Sequence, residues 1–282
     1  MNWYEPYLSV YGKPFDAEAM HDTVQAVHDG LSVLQSDAPL VTVSVIAYNE
    51  EQHLLACLWS LSQMQTSFPV EVIGVDNDST DRTAAVFEAC GVPYYTETRH
   101  SCGFARQCGL DHARGRFHLN IDSDTLYPPA YVELMTRELL REGTVAVSSL
   151  WSYIPDRNHS RLGLWFYELL RDSHLWFQHF SRPELSVRGL VFGYSVEAAR
   201  RFGIRTDIIR GEDGYLAFQL RDLGKIRFLR NRRARAVTGY GTVSESLGAA
   251  LWLRIRKYTA TLGSYFTSKD KYEDKPDNLV NP

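Results

Sequence analysis

VTVSVIAYNEEQHLLACLWSL, residues 41–61, runs from an unbroken apolar stretch through a few polar residues into a second apolar pattern of different period. VTVSVIA, rich in β-branched residues, reads as a strand. Leu54, Leu58 and Leu61 then recur at helical spacing, and Asn49 with Gln52 stands in capping-box positions, so a helix is expected from Asn49. The same couplet repeats downstream. VEVIGV (70–75) precedes a helix expected from Ser79, VPYYTE (92–97) precedes one from Gly103, and FHLNI (117–121) is a fourth strand. Strands alternating with helices across short joins indicate an α/β chain with a mostly parallel sheet. Strands buried on both faces read as continuous apolar runs, which places VTVSVIA and VEVIGV at the sheet centre.

Outward from this core the pattern loosens. Residues 1–39 are polar and aromatic, with a helix-like AEAMHDTVQAVHDGLSVL, and read as an N-terminal extension. Beyond residue 128 come expected helices near 130–142 and 160–179, the apolar GLVFGYSV (189–196), GEDGYLAFQLRDLG (211–224), a strand KIRFL (225–229) and a long helix from about Ser244. No repeat or low-complexity linker divides the chain, so one composite domain is expected over 40–240, with an amphipathic helix and polar tail over 241–282.

The 282 residues are 44% hydrophobic and 23% charged, an ordinary globular composition, and the net charge of -4 offers no overall attraction to nucleic acid. Cys57, Cys90, Cys102 and Cys108 lack paired spacing, which suits reduced thiols in a cytoplasmic chain. The N-terminus carries no basic-then-apolar leader and no apolar run approaches the ~18 residues of a spanning helix, so any membrane contact is expected to be peripheral.

Ligands of open parallel sheets sit beyond the carboxyl ends of the strands. That rule gathers AYNEE (47–51), DNDSTD (76–81), RHSCGFARQ (99–107) and DSD (122–124) into one region. Asp122 and Asp124 repel unless a divalent cation joins them; Mg²⁺ and Mn²⁺ take such hard oxygens and commonly share their shell with water and substrate phosphate. The plainer alternative is a solvated turn closed by Pro128 and Pro129. In GEDGY (211–215), Glu212 and Asp213 read either as a general base or as acids complementing a helix N-terminus. Arg106 reads as a phosphate partner or as a solvated helix residue.

VSVIAYNEEQHLLACLWSL, EVIGVDNDSTDRT, GFARQCGLDHARGRFHLNIDSDTLYPP and RGEDGYLAFQLRDLGKIRFL, in this order over roughly residues 41–230, resemble glycosyltransferase family 2. The resemblance implies a GT-A fold, a Rossmann-like, mostly parallel sheet flanked by helices, with helical N- and C-terminal additions. It divides the domain into a nucleotide-sugar half, 40–127, and an acceptor half, 128–240. It further implies metal-assisted, inverting transfer from a UDP, GDP or dTDP sugar to a hydroxyl on a glycan or lipid-linked sugar, with Mg²⁺ or Mn²⁺ as cofactor.

Carried onto this chain, the family pattern has Ala47, Tyr48 and Glu50 lining the nucleotide pocket, with Tyr48 against the base. Asp76 and Asn77 mark the second strand end, where Asn77 replaces an acidic base reader and its amide oxygen can accept a base N–H. Arg106 would hold diphosphate or base, Asp122 and Ser123 would approach the sugar nucleotide, and Asp124 would ligate the metal, with Asp122 a candidate second ligand. Asp213 matches the base that deprotonates the acceptor. The histidine that metal-dependent relatives often carry after the last core strand is absent from RARAVTGYGT (233–242), leaving further ligation to water or another side chain.

Trp151, Arg188, Gly189 and Glu212 are the acceptor candidates. Most other aromatics of the second half, including Trp165, Phe166, Phe177 and Phe180, have the spacing of core residues. The stripe Leu247, Leu251, Ile255, Tyr258, Leu262 and Tyr265, beside Arg254, Arg256 and Lys257, either packs on its own domain or lies on anionic lipid at the inner face of a membrane. The chain lacks the QxxRW motif of processive synthases, which suits one sugar per encounter. Two rivals stand beside this reading: a catalytically silent nucleotide-sugar-binding subunit, and a sugar nucleotidyltransferase, whose glycine-rich phosphate loop AYNEEQHLL does not resemble.

Overall fold

The computed structural model describes residues 2–157 and 159–239. The helix expected from Ser244, its stripe over 247–266 and the polar tail lie outside the described residues, as do the last three residues of RARAVTGYGT.

The elements in chain order are α1 (His21–Leu34), β1 (Val41–Ala47), α2 (Leu54–Ser62), β2 (Val70–Asp76), α3 (Thr83–Ala89), β3 (Tyr94–Thr96), α4 (Cys102–His112) and β4 (Phe117–Asp122). There follow β5 (Thr125–Leu126), α5 (Tyr131–Leu139), β6 (Thr144–Ser149), β7 (Trp151–Tyr153), α6 (Arg161–Ser181), β8 (Phe192–Ser195), α7 (Val196–Phe202), α8 (Glu212–Leu220), β9 (Lys225–Leu229) and β10 (Ala236–Thr238). The main sheet runs β3-β2-β1-β4-β8-β6-β9, and a small sheet runs β5-β10-β7. Among the described residues only β8 in the main sheet opposes its neighbours, pairing antiparallel with β4 and β6. Val41, Val43, Val45, Val70 and Val72 are buried between the helical layers, as continuous apolar strands require.

Two helices start later than their sequence patterns predict. Asn49 adopts a left-handed conformation with φ 54°, and α2 begins only at Leu54. The expected capping box does not form, because the polar residues after β1 bind the next loop instead. Asn49 Oδ1 accepts the Thr80 N–H at 2.8 Å, and the N–H groups of Asn49, Glu50 and Glu51 donate to Ser79, Thr83 and Asp81 at 2.9, 2.8 and 3.1 Å. The same cross-links delay α3 to Thr83, while β3 keeps only the middle of VPYYTE. By contrast α4 begins near its expected start, capped where Ser101 Oγ accepts the Phe104 N–H at 3.1 Å.

The N-terminal segment is built into the domain rather than appended to it. Tyr7, Val10 and Phe15 belong to the main core with Val27 and Leu31 of α1, and the Tyr11 hydroxyl donates to the Asp124 carbonyl at 2.8 Å.

The α6 helix overturns the core assignment of several aromatics. Its inward face buries Glu168, Arg171, Asp172 and His174, whereas Trp165 (52% exposed), Phe166, Phe177 and Phe180 (69%) face outward. Ion pairing explains the inversion. Glu168 accepts from Ser152 Oγ at 2.7 Å and the Tyr153 N–H at 2.8 Å on β7, while Arg235, just before β10, pairs with Glu168 at 3.3 Å and contacts Asp172. The inward face therefore joins this ion-paired set to the core residues Leu164, Tyr167 and Leu175, while Trp165, Phe166, Phe177 and Phe180 are left outward.

Candidate active site

Parallel register brings the decorated strand ends together: Ala47 pairs with Asp76, and Ile46 with Asp122. Tyr48 lies at the rim, 51% exposed and edge-on to His100 at 5.4 Å, which leaves ring surface open to a planar ligand. Asp76 Oδ1 accepts the Ser79 N–H at 3.2 Å and so shapes the second loop.

Asn77 does not present a free amide. Its Nδ2 donates to the carbonyls of Glu97 and Arg99 at 2.7 and 2.8 Å, and its Oδ1 accepts the Ser101 N–H at 3.1 Å. The side chain holds the approach to α4, because a buried amide satisfies its donors and acceptor on the nearest backbone.

At the centre lies Arg106 on α4, only 4% exposed and far from the solvated helix residue of the plainer reading. Its Nη2 donates to Asp122 Oδ1 at 2.9 Å, and its Nε lies 3.3 Å from both Glu212 Oε1 and Asp213 Oδ1. The buried Nη1 has no partner among the described residues. Gly211, with φ 102°, turns the chain into α8 so that Glu212 and Asp213 occupy its first turn.

Three residues of this centre carry no obvious motif. Asn120 Nδ2 donates to Asp213 Oδ1 at 3.0 Å, and the buried Tyr194 hydroxyl donates to Asn120 Oδ1 at 3.1 Å, forming a chain that orients the carboxylate. Asn120 stands two residues before Asp122 on β4 and thus on the same face, the one sequence signal that could have found it. Gly189, an acceptor candidate, enters for want of a side chain: a Cβ there would lie 2.0 Å from Arg106 Nη2 and 2.3 Å from Asp213 Oδ2.

The other acceptor candidates fare differently. Glu212 is buried and paired to Arg106. Trp151 is buried on β7 with the Arg171 guanidinium 4.1 Å above its ring, so it presents no open stacking face. Arg188 is exposed and donates to the carbonyls of Leu185 and Val187 at 3.1 and 2.5 Å.

Burial raises the proton affinity of Asp213, opposed by Arg106 and reinforced by Glu212 and Asp122. Asp124 is pushed up to about 6 by burial and by the charges of Asp122 and Glu50, and its Oδ1 accepts from Thr125 at 3.0 Å. His53 borders this group: its Nδ1 lies 2.7 Å from Glu50 Oε2, that bond raises its own proton affinity, and it feels Asp124. No cluster of three or more His, Cys, Asp or Glu among the described residues is arranged to hold a metal ion. Asp124, with Asp122, carries the oxygen donors that could share a cation with a ligand. Ser123 is buried between the two aspartates.

Residues 42–205 match the family model of Glycosyl transferase family 2, a span that ends before Asp213. The hyaluronan synthase of Pasteurella multocida is 24% identical over 231 residues, covering 77% of this chain, which spans only 23% of that relative's length. Among solved structures, S. aureus TarS 1-349 in complex with UDP-GlcNAc superposes with a TM-score of 0.57 at 17% identity, covering 78% of this chain and 65% of that one. The mannosyltransferase PcManGT from Pyrobaculum calidifontis, in complex with GDP-Man and Mn²⁺, gives a TM-score of 0.57 at 20% identity, covering 90% and 77%. The fold is GT-A, a mostly parallel sheet flanked by helices.

Proposed function

This chain belongs to glycosyltransferase family 2, and on that premise we propose that it transfers a sugar, with inversion, from a nucleoside diphosphate sugar to a hydroxyl acceptor on a glycan or lipid-linked sugar. The observation that carries this is Arg106, which joins Asp122 at the donor strand end to Asp213 through one guanidinium. TarS with UDP-GlcNAc and PcManGT with GDP-Man and Mn²⁺ support a nucleotide-sugar donor.

In this reading Asp213 takes the proton of the acceptor hydroxyl as its oxygen attacks the anomeric carbon opposite the departing diphosphate. Asn120 and Tyr194 orient that carboxylate. Arg106 stabilises negative charge developing on the diphosphate, and its unpartnered Nη1 is a buried donor suited to an anion. Tyr48 stacks on the base, with Ala47 and Glu50 lining the same pocket. Asp124, with Asp122, would hold a divalent cation, for which their oxygen chemistry and mutual repulsion fit; when bound, it neutralises charge on the leaving diphosphate.

A thermal-shift screen of UDP, GDP and dTDP sugars with and without Mn²⁺, followed by transfer assays, tests the donor class, since a ligand that binds the folded state raises its melting temperature. No stabilisation by any nucleotide sugar would overturn the proposal. In the same screen Asp124→Ala is expected to remove the Mn²⁺-dependent part of the shift; an unchanged Mn²⁺ dependence would remove Asp124 from the metal shell.

The pH dependence follows from the raised proton affinity of Asp213. The base must be ionised, so transfer is expected to rise with pH through values above the ordinary carboxylate range. Asn120→Leu removes a donor to the charged form, which further favours protonation. A hydrogen bond to a charged group contributes about 1.5–3 kcal/mol, so the ascending limb of the pH–rate profile is expected to move roughly one to two pH units upward. A profile that stays in place would show that Asn120 does not act through Asp213.

A further inference from the structure

We propose that the outer face of α6, with the arginines that border it, docks this protein on an anionic lipid surface. The proposal rests on α6 and not on the transfer reaction, so either can fail alone. The first observation is the direction of burial. Leu162, Trp165, Phe166, Leu169, Phe177 and Phe180 recur at spacings of one or two turns along one side of the helix and are all exposed, between 48% and 69%. A contiguous exposed stripe of this kind marks an interaction site, in contrast to single surface hydrophobics.

The second observation is charge. The acids of α6, Glu168 and Asp172, are both turned inward and paired, Glu168 with Arg235 and Asp172 with Arg171 and Arg235, so none lies on the outer face. The segment carrying Arg230, Arg232, Arg233 and Arg235 touches the helix at its two ends. Arg230 stacks its guanidinium 5.0 Å over the Trp176 ring, and Arg235 reaches Glu168 and Asp172. Arg230, Arg232 and Arg233 are exposed. An apolar Trp/Phe/Leu face beside exposed arginines suits a helix lying in the interfacial plane, its rings at headgroup depth and its cations against anionic headgroups.

The alternative occupant within the chain is the stripe of 247–266. That stripe carries Arg254, Arg256 and Lys257, so docking it on α6 would bring like charges beside the Arg230–Arg233 margin. Charge complementarity therefore favours an external anionic surface.

The test is sedimentation of the 282-residue chain with vesicles of phosphatidylglycerol and phosphatidylcholine, against phosphatidylcholine alone. Binding is expected to the anionic vesicles, to weaken with salt, and to be absent with the neutral ones. Trp165→Ser with Phe166→Ser, and separately Arg230→Gln with Arg232→Gln and Arg233→Gln, are each expected to lower partitioning about tenfold or more. These exposed positions leave the melting temperature and the donor-induced thermal shift unchanged, which shows that the variants fold.

Three results would overturn the proposal. One is wild-type sedimentation that ignores anionic lipid. Another is α6 variants that sediment like wild type while Leu251→Ser with Ile255→Ser abolishes binding, which would make 247–266 the anchor. The third is a concentration-dependent dimer, seen by light scattering and lost in the α6 variants, without vesicle binding; a second copy of the chain would then cover the face.

Discussion

Asp213→Asn is expected to lower turnover by about three orders of magnitude, within the range general-base catalysis contributes, while the donor-induced thermal shift stays close to wild type. The replacement conserves shape and removes only the basic oxygen. Arg106 keeps Asp122 at 2.9 Å and Glu212 at 3.3 Å, so the guanidinium remains neutralised in place and the donor side of the cleft survives. Asn120, which donates to Asp213 Oδ1 at 3.0 Å, can still meet the oxygen of an asparagine amide. Separate measurements of turnover and donor binding decide the role. Wild-type turnover would remove Asp213 as the base. Turnover and donor binding lost together would instead make it a structural partner of Arg106. The experiment matters because Asp213 lies beyond the family-matched span, so its assignment stands on its contacts.

Gly189→Ala is the second large effect, and it arises from a single methyl group. The added Cβ would lie 2.0 Å from Arg106 Nη2 and 2.3 Å from Asp213 Oδ2, closer than real contacts allow. The atoms that must yield are side-chain ends, so the fold is expected to survive, but they can yield only by separating a buried guanidinium from its carboxylates. Breaking a buried ion pair costs about 3–5 kcal/mol, which corresponds to roughly 10²–10³-fold or more in kcat/KM. Unlike Asp213→Asn, this change is expected to weaken donor binding as well, because Arg106 also holds Asp122. A variant that melts normally and retains full kcat/KM would show that Arg106 and Asp213 need not touch during turnover.

Much of the main sheet was legible before any coordinates. VTVSVIA and KIRFL match β1 and β9 at both ends, and VEVIGV and FHLNI each fall one residue short of β2 and β4. Strand periodicity and β-branched content are local properties, and a strand buried on both faces leaves little choice of residue. The helix starts were less legible, since whether Asn49 caps a helix or receives the Thr80 N–H depends on how close the 77–82 loop comes. Asn77 was misjudged for a related reason: its amide is used by backbone some 20 residues away.

The acceptor half shows the same division. Trp151 had the look of a sugar platform, yet its burial is decided by Arg171 above its ring. The aromatics of α6 have core spacing, yet Tyr167 alone of the five at 165–167, 177 and 180 is buried, and the other four face outward. The inward face combines Leu164, Tyr167 and Leu175 with Glu168 and Asp172 meeting Arg235 and β7, an ion-pairing constraint that periodicity does not express.

By itself, the sequence determined the alternation of strand and helix, the central strands and the gathering of polar residues at strand ends, because these follow from local spacing and the chain order of parallel crossovers. Only the tertiary structure decided that Arg106 would bridge Asp122 to Glu212 and Asp213, that Asn120 and Tyr194 would orient the base, and that Gly189 would leave room for both. Those contacts join segments up to 107 residues apart through sheet register and a glycine's missing side chain, and neither is written in the neighbourhood of any one residue.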